Sequence, residues 1–496
     1  MLIARTHDPV SRCDVLARAT LSVLSREEME RIHRASLKIL ETIGVSVLSQ
    51  PVCKMLEESG CIRSKDGRRI LMPEDIVKSA IANAPKSLLL AARDKKHDIR
   101  IPSDRTFMAN GGEGVYVKNL VTGEKHTSTT KDTIDFTVLA EKIPQVDLIW
   151  TMVGAIDQPV HMKELVELKV GFENTSKHFM GGALSAEQAK DMIELLLVLS
   201  GSQTELERRP IYSGVQCPIP PLTFDKGLIE AQVEFARAKI PITAMSAPIA
   251  GISSPVTLAG TVTQTNSDNL ASLVISQTAR KGAPFIYSSD SSPADMMTGS
   301  IDYGGVESPL LHTGCGQMGR YYGLPTMVSG ASIEEASLTI GTAQEGVKHM
   351  LVEALIPSDL GSGFGGIDNA LGASLEQFVV DTWVWDLARE YAKNLDTDED
   401  AIAIDAIRDA APSGSYLTQP HTIRRFKREV VSAYRPELST AGRDKVEPRG
   451  SLIKKARKEA ERILKEPREP HLSKDESKGM DDLLMRFLKE QKVRAK

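Results

Sequence analysis

The chain has 496 residues, of which 41% are hydrophobic and 26% are charged, and its formal net charge is −5. This composition is typical of a globular protein with a large core. The lack of excess positive charge argues against nucleic-acid binding. Apolar runs are short, and none approaches the roughly 20 residues that a membrane-spanning helix needs.

The N-terminal residues contain no continuous apolar segment of the kind that signal peptides have, so we expect a cytoplasmic protein. The five cysteines are scattered and contain no CxxC spacing, which favours a reducing compartment and argues against a structural metal site. Cys217 is the last residue of a predicted strand segment. It is interpreted first as a small buried residue and second as part of a site.

The first predicted elements form an N-terminal helical cap region over residues 1–103. Ser25 and Glu28 have the spacing of a capping box, and apolar residues follow at helical intervals. Pro73 begins a second helix whose first turn contains Glu74 and Asp75, as the helix dipole favours.

Eight short apolar segments then recur, each ending in small or polar residues and each followed by a segment of helical length. This alternation predicts an α/β fold of the (β/α)8 TIM barrel class over residues 104–395, with the chemistry at the carboxyl ends of the strands. The predicted strand segments are Thr106–Gly111, Val146–Gly154, Lys177–Gly182, Pro210–Cys217, Pro241–Pro248, Pro284–Asp290, Pro325–Ala331 and Ser358–Gly366.

Helical segments are predicted between these strands, as in Ala186–Leu199, Asp225–Lys239, Asn266–Lys281 and Leu375–Tyr391. The long segment Ser291–Val306, rich in Gly and Met, follows the sixth strand, and loops of this length are commonly functional. Residues 396–496 form a C-terminal helical extension. Its two amphipathic stripes predict helices that pack on the barrel or on a neighbouring subunit, and they suggest a homo-oligomer; a partner-docking helix is the alternative.

No general catalytic motif is present, so the candidate site residues come from the strand ends. Asp290 and Glu307 flank the segment after the sixth strand, and Tyr287, Tyr303 and Phe364 lie near the same predicted face. Aromatic rings together with carboxylates suit a quaternary ammonium ligand. The alternative for each aromatic residue is packing in the core, and the alternative for Glu307 is a helix N-terminal carboxylate.

Other strand-end residues complete the candidate set. Gln216 and Met245 lie near the ends of the fourth and fifth strand segments, and Ser332 follows Ala331, the last residue of the seventh. His312 and His349 lie on the helices after the sixth and seventh strands, where each can also be a structural histidine.

Several separated segments resemble the trimethylamine methyltransferase family of corrinoid-dependent methyltransferases. The matching segments are NTSKHF at 174–179, SSPVTLAG at 253–260, YYGLP at 321–325, MVSGAS at 327–332, SLEQFVVD at 374–381 and YLTQPHT at 416–422. They occur in the family's order, and the resemblance covers roughly residues 20–490.

The family's archaeal trimethylamine enzymes have pyrrolysine in the seventh-strand segment, where this chain has Ala331 after the run Val328–Gly330. Pyrrolysine has an electrophilic imine that captures an amine through its lone pair. A quaternary ammonium has no lone pair, and its nitrogen already has the positive charge that makes a neutral amine the leaving group. The resemblance therefore implies a member without pyrrolysine that acts on quaternary amines such as glycine betaine, proline betaine or carnitine.

The resemblance also implies that the methyl acceptor is the Co(I) corrinoid of a separate small protein, so this chain binds no cofactor tightly. Tyr287 and Phe364 are then expected to form the walls of a cation-binding cup. Asp290 and Glu307 anchor the charge, while His349 beside Lys348, or His312, meets a betaine carboxylate. Ala331 and Ser332 leave room for the substrate.

Three other functions stay open. A methylamine methyltransferase without pyrrolysine would keep trimethylamine as its substrate. A barrel enzyme could use Asp290 and Glu307 as an acid–base pair in lyase chemistry, independently of cobalamin. A betaine-binding or corrinoid-protein-binding protein would keep the barrel without catalysis.

Overall fold

The computed structural model describes residues 19–328, 332–337, 339–412, 414–429 and 451–494. Its N-terminal part contains three α-helices, of which α1 begins directly after Ser25, within the Ser25–Glu28 capping box, and α3 begins after Pro73, both as predicted. The helices are α1 Arg26–Thr42, α2 Gln50–Glu58 and α3 Glu74–Asn83. Between α2 and α3, Ile62–Arg63 pairs with Ile70–Leu71, and Ser46–Val47 pairs with Thr223–Phe224 of a later segment.

Eight parallel strands close into a barrel, with each strand paired to its neighbours in chain order and the eighth paired to the first. Every strand lies inside the segment predicted for it, which confirms the (β/α)8 fold. The barrel strands are β1 Phe107–Asn110, β2 Leu148–Trp150, β3 His178–Gly181, β4 Tyr212–Gln216, β5 Ile242–Ser246, β6 Phe285–Ser289, β7 Thr326–Val328 and β8 Leu360–Phe364.

Helices surround the strands, and several begin at a Ser, Thr or Asp side chain that accepts a bond from the first turn, such as Ser185 and Asp225. They are α4 Thr130–Lys142, α5 Lys163–Asn174, α6 Ala186–Ser200, α7 Gln203–Arg208, α8 Lys226–Arg237, α9 Leu258–Ala279, α10 Glu307–Tyr321, α11 Ile340–Leu355 and α12 Leu375–Tyr391. Helix α9 begins eight residues before the predicted start at Asn266, because α1 and α3 cover a polar first half that lacks an amphipathic pattern.

A hairpin closes the amino end of the barrel. Its strands, Leu88–Leu90 and Ile99–Ile101, pair in antiparallel fashion. The side chains of Leu90 and Ile99 are buried in one cluster with the inward-facing barrel residues, among them Leu148 and Met327. The lower half of the barrel is therefore filled by apolar side chains.

The C-terminal helices lie on the outside of the barrel. They are α13 Glu399–Ile402, α14 Ile404–Ala410, α15 Pro420–Glu429, α16 Ser451–Lys465 and α17 Lys474–Arg494. Helix α16 packs on α12 and α4, and α17 packs on α6 and α5, so the predicted packing on the barrel is confirmed. Apolar residues of both stripes, including Ala456 and Phe487, are buried against this chain's own barrel. They no longer support the prediction of a homo-oligomer, which stays a prediction.

No helix among the described residues combines the length and the apolar character needed to cross a bilayer. The first barrel strand starts at Phe107 and the last barrel helix ends at Tyr391. The predicted divisions of the chain after residues 103 and 395 stay predictions.

Candidate active site

A cavity of about 60 Å³ opens at the carboxyl end of the barrel. Glycines make room for it: a Cβ atom on Gly112 would stand 2.3 Å from the Trp150 ring. The lining residues come from the strand ends and from the connections that follow them: Gly111, Gly112, Gly114, Trp150, Met152, Met245, Asp290, Tyr303, Ser332, Ser362, Gly363, Gly366, Ala370 and Gly372. The cavity thus combines two aromatic rings, one carboxylate and a floor with little side-chain bulk.

Asp290 is the carboxylate of this cavity. Tyr303 Oη donates a hydrogen bond of 2.7 Å to Asp290 Oδ2, while Oδ1 is buried with no hydrogen-bond partner among the described residues. Burial raises the pKa of Asp290 to about 7. An oxygen without a partner at the cavity wall is a site where a ligand can supply the missing interaction.

The segment after β6 carries Tyr303 back to the cavity. Residues Ser292–Pro293 pair with Ile249–Ala250, and the amide of Asp302 donates to the carbonyl of Pro293 at 3.1 Å. The predicted functional segment is therefore folded over the mouth, and its return places the phenol of Tyr303 on Asp290.

Trp150 forms another wall. The side-chain oxygen of Asn110 accepts a hydrogen bond of 3.0 Å from the backbone amide of Trp150, and the Asn110 side-chain amide donates to the Trp150 carbonyl. Asn110 therefore fixes both backbone polar groups of Trp150. The indole Nε1–H is buried without a partner among the described residues. Trp150 therefore offers both an aromatic surface and a free donor.

A second charged cluster lies at the same end, beside β2 and β3. Lys163 Nζ is 3.1 Å from Glu164 Oε1 and 3.7 Å from Glu167 Oε1. Burial raises the pKa of Glu167 to about 8 and raises the pKa of Glu113, although Lys163 opposes both shifts. Glu113 has a left-handed backbone, with φ of 60°.

Cys217 differs from its first interpretation as a buried residue, because its side chain is exposed at the mouth. Protein surrounds it on most sides, and this desolvation, with Glu113 and Asp290 nearby, raises the pKa of its thiol to about 12. Cys217 is therefore a neutral thiol on the wall of the concave mouth.

Ser332 lies at the cavity and links two connections. Its hydroxyl accepts a hydrogen bond of 2.8 Å from the amide of Ala370, in a run of three left-handed residues from Asp368 to Ala370. Ala331, next to it in sequence, lies outside the described residues.

Two predicted cup residues lie elsewhere. Tyr287 is fully buried between the strands and the helices, and its hydroxyl donates to Asn266 Oδ1 at 3.2 Å. Phe364 faces the same layer, with ring centroids 6.2 Å from Phe378 and 6.4 Å from Trp385. Neither residue borders the cavity, so the aromatic walls are Trp150 and Tyr303 instead.

The two histidines lie behind the site. His349 Nε2–H donates to the Tyr303 carbonyl at 2.8 Å, and both His349 and His312 line a much smaller cavity between α10 and α11. Burial lowers the pKa of His349 to about 4 and that of His312 to about 3, so both are neutral near pH 7. They do not border the main cavity, and Lys348 beside them is bonded to backbone carbonyls at Gly304 and Gly305.

Of the remaining predicted residues, one borders the cavity and two do not. Met245 borders the cavity, whereas Gln216 points outward and donates to the Ala183 carbonyl at 3.4 Å. Glu307 is the first residue of α10 and does not line the cavity, which fits the alternative of a helix N-terminal carboxylate. From the residues named in the sequence analysis, the structure thus brings together Asp290, Tyr303, Met245 and Ser332.

The period of two along each strand could have separated these groups. Asp290 and Tyr287 are three residues apart, so an inward Asp290 requires an outward Tyr287. The same rule places Gln216 outward if Cys217 faces inward. Trp150 lies inside a predicted strand but was not among the candidate residues. The same alternation of side chains could have been applied to that strand to ask whether Trp150 faces inward.

Comparison with known proteins identifies the family. The model of the trimethylamine methyltransferase (MTTB) family matches residues 5–492. The chain belongs to the trimethylamine methyltransferase family. Its members are methyltransferases, and this chain is a methyltransferase.

Curated relatives cover most of the chain. It is 29% identical over 425 residues to a glycine betaine methyltransferase of Desulfitobacterium hafniense, covering 84% of this chain and 86% of the relative. It is 27% identical over 412 residues to the trimethylamine methyltransferase MttB of the same species, with 83% of each chain covered. The MttB of Methanosarcina barkeri is 25% identical over 430 residues, covering 84% of this chain and 85% of the relative.

Among solved structures, the monomethylamine methyltransferase of Methanosarcina barkeri is similar with a TM-score of 0.49 and 12% sequence identity. The match covers 88% of this chain and 92% of that one.

Proposed function

We propose that this methyltransferase moves a methyl group from a quaternary amine, glycine betaine or a related betaine, to the Co(I) corrinoid of a partner protein. The observation that carries the proposal is the cavity in which Trp150, Tyr303 and Asp290 meet at the barrel mouth. Aromatic faces and a carboxylate are the groups that bind a quaternary ammonium. The relative named glycine betaine methyltransferase supports the same substrate class.

The sequence at the end of β7 supports a substrate that needs no covalent capture. Ala331 stands where the trimethylamine enzymes that the chain resembles have pyrrolysine. Trimethylamine needs an electrophile to become a good donor, whereas a quaternary nitrogen already makes a neutral leaving group. The absence of the imine therefore favours a permanently cationic substrate.

The reaction breaks one N–CH3 bond and forms a bond between that carbon and cobalt. Co(I) supplies the electron pair for the new bond, and the pair of the broken bond stays on nitrogen, which leaves as a neutral tertiary amine. No proton transfer is required. The enzyme therefore acts by positioning: it holds the nitrogen so that one methyl group faces the open mouth in line with the acceptor.

The charge in the cavity must not stabilise the bound substrate cation more than it stabilises the transition state. Positive charge leaves nitrogen during transfer, so a fully ionised carboxylate against the nitrogen would stabilise the ground state more than the transition state. We expect the rings of Trp150 and Tyr303 to lie nearest the nitrogen, with Asp290 farther away. The raised pKa of Asp290 is consistent with this moderate charge.

A betaine carboxylate needs a hydrogen-bond donor, and we place this role on Trp150. Its Nε1–H is unsatisfied among the described residues and belongs to a cavity-lining side chain. His349 and Lys348 were the predicted donors, but both are engaged with backbone carbonyls behind the site.

A panel of methylated amines assayed with free Co(I) cobalamin tests the function. We expect glycine betaine or a related betaine to be converted to the corresponding tertiary amine, with methylcobalamin formed in equal amount. Trimethylamine should give little or no product. Trimethylamine turnover at a comparable rate would rule out the quaternary-amine assignment, and substrate consumption without any cobalamin requirement would favour the acid–base alternative.

A further inference from the structure

Two buried histidines hold opposite ends of the segment that folds over the mouth. His312 of α10 donates a hydrogen bond to the backbone carbonyl of Ser291, at the start of the segment. His349 of α11 donates through Nε2–H to the carbonyl of Tyr303, at the end of the segment, at 2.8 Å. The segment begins directly after Asp290, so the two histidines fix both sides of the hydrogen bond between Tyr303 and Asp290.

The other nitrogen of each ring is buried without a partner among the described residues. These atoms are His312 Nε2 and His349 Nδ1, and each residue is only 4% exposed. Both rings border the small cavity between α10 and α11, which has a volume of about 10 Å³. The buried ring of His178 differs, because its two nitrogens contact the Ala91 carbonyl at 2.8 Å and Ser213 Oγ at 3.0 Å. Buried polar atoms are normally satisfied, so the missing partner of the pair belongs in the cavity.

The positions of the ring protons determine what can fill this space. A carbonyl accepts a hydrogen bond only from N–H, so His349 has its proton on Nε2 and, when neutral, presents the lone pair of Nδ1. By the same argument, His312 has its proton on Nδ1 and presents the lone pair of Nε2. Burial lowers the pKa of both rings, so both are neutral near pH 7. Two acceptors cannot satisfy each other, whereas a molecule with two donors can satisfy both.

We propose that one buried water molecule occupies this cavity and donates a hydrogen bond to each histidine. His312, the water and His349 then form one unit, which we call the histidine clamp and which positions the phenol of Tyr303. A volume of about 10 Å³ is room for one water molecule, and two polar partners suffice for it. No group of His, Cys, Asp and Glu side chains in the described part of the chain is arranged to hold a metal ion, which favours water as the occupant.

The clamp acts on the cavity carboxylate through Tyr303. Burial raises the pKa of Asp290 to about 7, and the hydrogen bond from Tyr303 opposes this shift. A looser clamp weakens that bond, so the pKa of Asp290 should rise further. Cys217 is a second titratable group near Asp290, and it is neutral because burial raises the pKa of its thiol. The effect of the clamp on substrate binding rests on the proposed function, whereas the water site does not.

Two charged groups lie beside the histidines. Lys348 opposes protonation of His349, but its ammonium is bonded to the carbonyls of Gly304 and Gly305. Glu353 is buried and lines the same small cavity. Both groups are kept in every variant that we describe below, so a change in pH dependence would come from the clamp.

A crystal structure of the unaltered chain, at a resolution that shows ordered water, tests the site directly. We expect density for one water molecule within hydrogen-bond distance of both His312 Nε2 and His349 Nδ1. A space without density, a molecule bonded to only one ring, or an anomalous signal from a metal ion would overturn the proposal. This measurement needs no substrate, so an error in the substrate assignment would leave it unchanged and would appear in the amine panel instead.

The pH dependence of KM, for whichever amine the panel identifies, gives the second measurement. His312→Phe keeps a ring but removes both nitrogens, so KM should rise a few-fold at pH 8 and the pH at which KM changes should move upward. Tyr303→Phe sets the upper limit of this shift, about one pH unit, because it removes the bond to Asp290 outright. His312→Gln keeps a donor and an acceptor and should restore most of the unaltered behaviour.

His178→Phe is the matched control, because it removes a buried histidine that bonds to Ala91 and Ser213 instead of to this segment. It should leave the pH dependence of KM unchanged, whatever its effect on stability. An unchanged pH dependence in His312→Phe, or an equal shift in His178→Phe, would overturn the proposal. If His312→Phe does not fold, the crystal structure of the unaltered chain decides.

Discussion

The two ends of the barrel are built from the same eight strands but have opposite character. At the amino end the hairpin residues Leu90 and Ile99 fill the barrel with apolar contacts. At the carboxyl end the cavity leaves a carboxylate oxygen of Asp290 and the indole N–H of Trp150 without partners among the described residues. The difference shows how the fold separates stability from chemistry: the closed end stabilises the barrel, and the open end can keep polar groups unsatisfied for a ligand.

The largest expected effect is at the closed end. Leu90→Ala removes a fully buried side chain from the barrel interior and should lower the free energy of unfolding by about 2–5 kcal/mol. Urea denaturation measures this change, and the KM for the quaternary amine should stay near that of the unaltered enzyme. A large increase in KM with unchanged stability would show that the two ends are not separate.

The next effect is at the open end. Trp150→Ala removes an aromatic wall, and if its contact with the cation is worth about 2 kcal/mol, the KM should rise about 30-fold. Trp150→Phe is the matched variant, because it keeps a ring but lacks the N–H. A betaine should lose more affinity in Trp150→Phe than tetramethylammonium does, because tetramethylammonium has no carboxylate and is affected only by the weaker cation–π contact of the Phe ring.

A third prediction concerns pH. Because the pKa of Asp290 is raised to about 7, the carboxylate becomes protonated as the pH falls through that value and loses its attraction for the cation. The KM should rise between pH 7 and pH 6 by at most about fivefold, because the rings of Trp150 and Tyr303 still bind the cation when Asp290 is protonated. Asp290→Asn should have a higher KM at pH 8 and should lack this pH dependence; a variant that kept the step would assign it to another group.

The smallest effect should come from behind the site. His349 donates to the Tyr303 carbonyl and so positions the residue that bonds to Asp290. His349→Phe should raise KM a few-fold, and His349→Gln, which keeps a donor, should restore part of the affinity. A shift of the pH dependence in His349→Phe would indicate that the Tyr303–Asp290 bond has changed, which a purely structural role would not produce.

The barrel could be predicted because its signal is repetitive and local. Each strand is a short apolar run followed by a helical segment, and segments such as Thr106–Gly111 and Pro284–Asp290 contain the observed strands. Capping residues fixed helix starts in the same way, as Ser25 does for α1. The start of helix α9 was harder to predict, because α1 and α3, which lie more than 170 residues away in sequence, cover the face that would otherwise be exposed.

The site was less predictable for two different reasons. The alternation of side chains along β6 was available in the sequence, and it places Tyr287 and Asp290 on opposite faces of the strand. The sequence placed Tyr303 near the mouth, but its hydrogen bond to Asp290 could not be predicted, because this contact depends on how the segment after β6 folds back. Asp290 could be selected from its strand end, but its aromatic neighbours depended on this tertiary path.

The hairpin that closes the barrel comes from the N-terminal part of the chain, which also covers α9. Two surfaces that a free-standing (β/α)8 unit would expose to water are thus covered by residues that precede its first strand. We therefore expect that the barrel residues alone would not fold stably. A design that transfers this site to another protein should include the N-terminal hairpin and helices that cover these two surfaces.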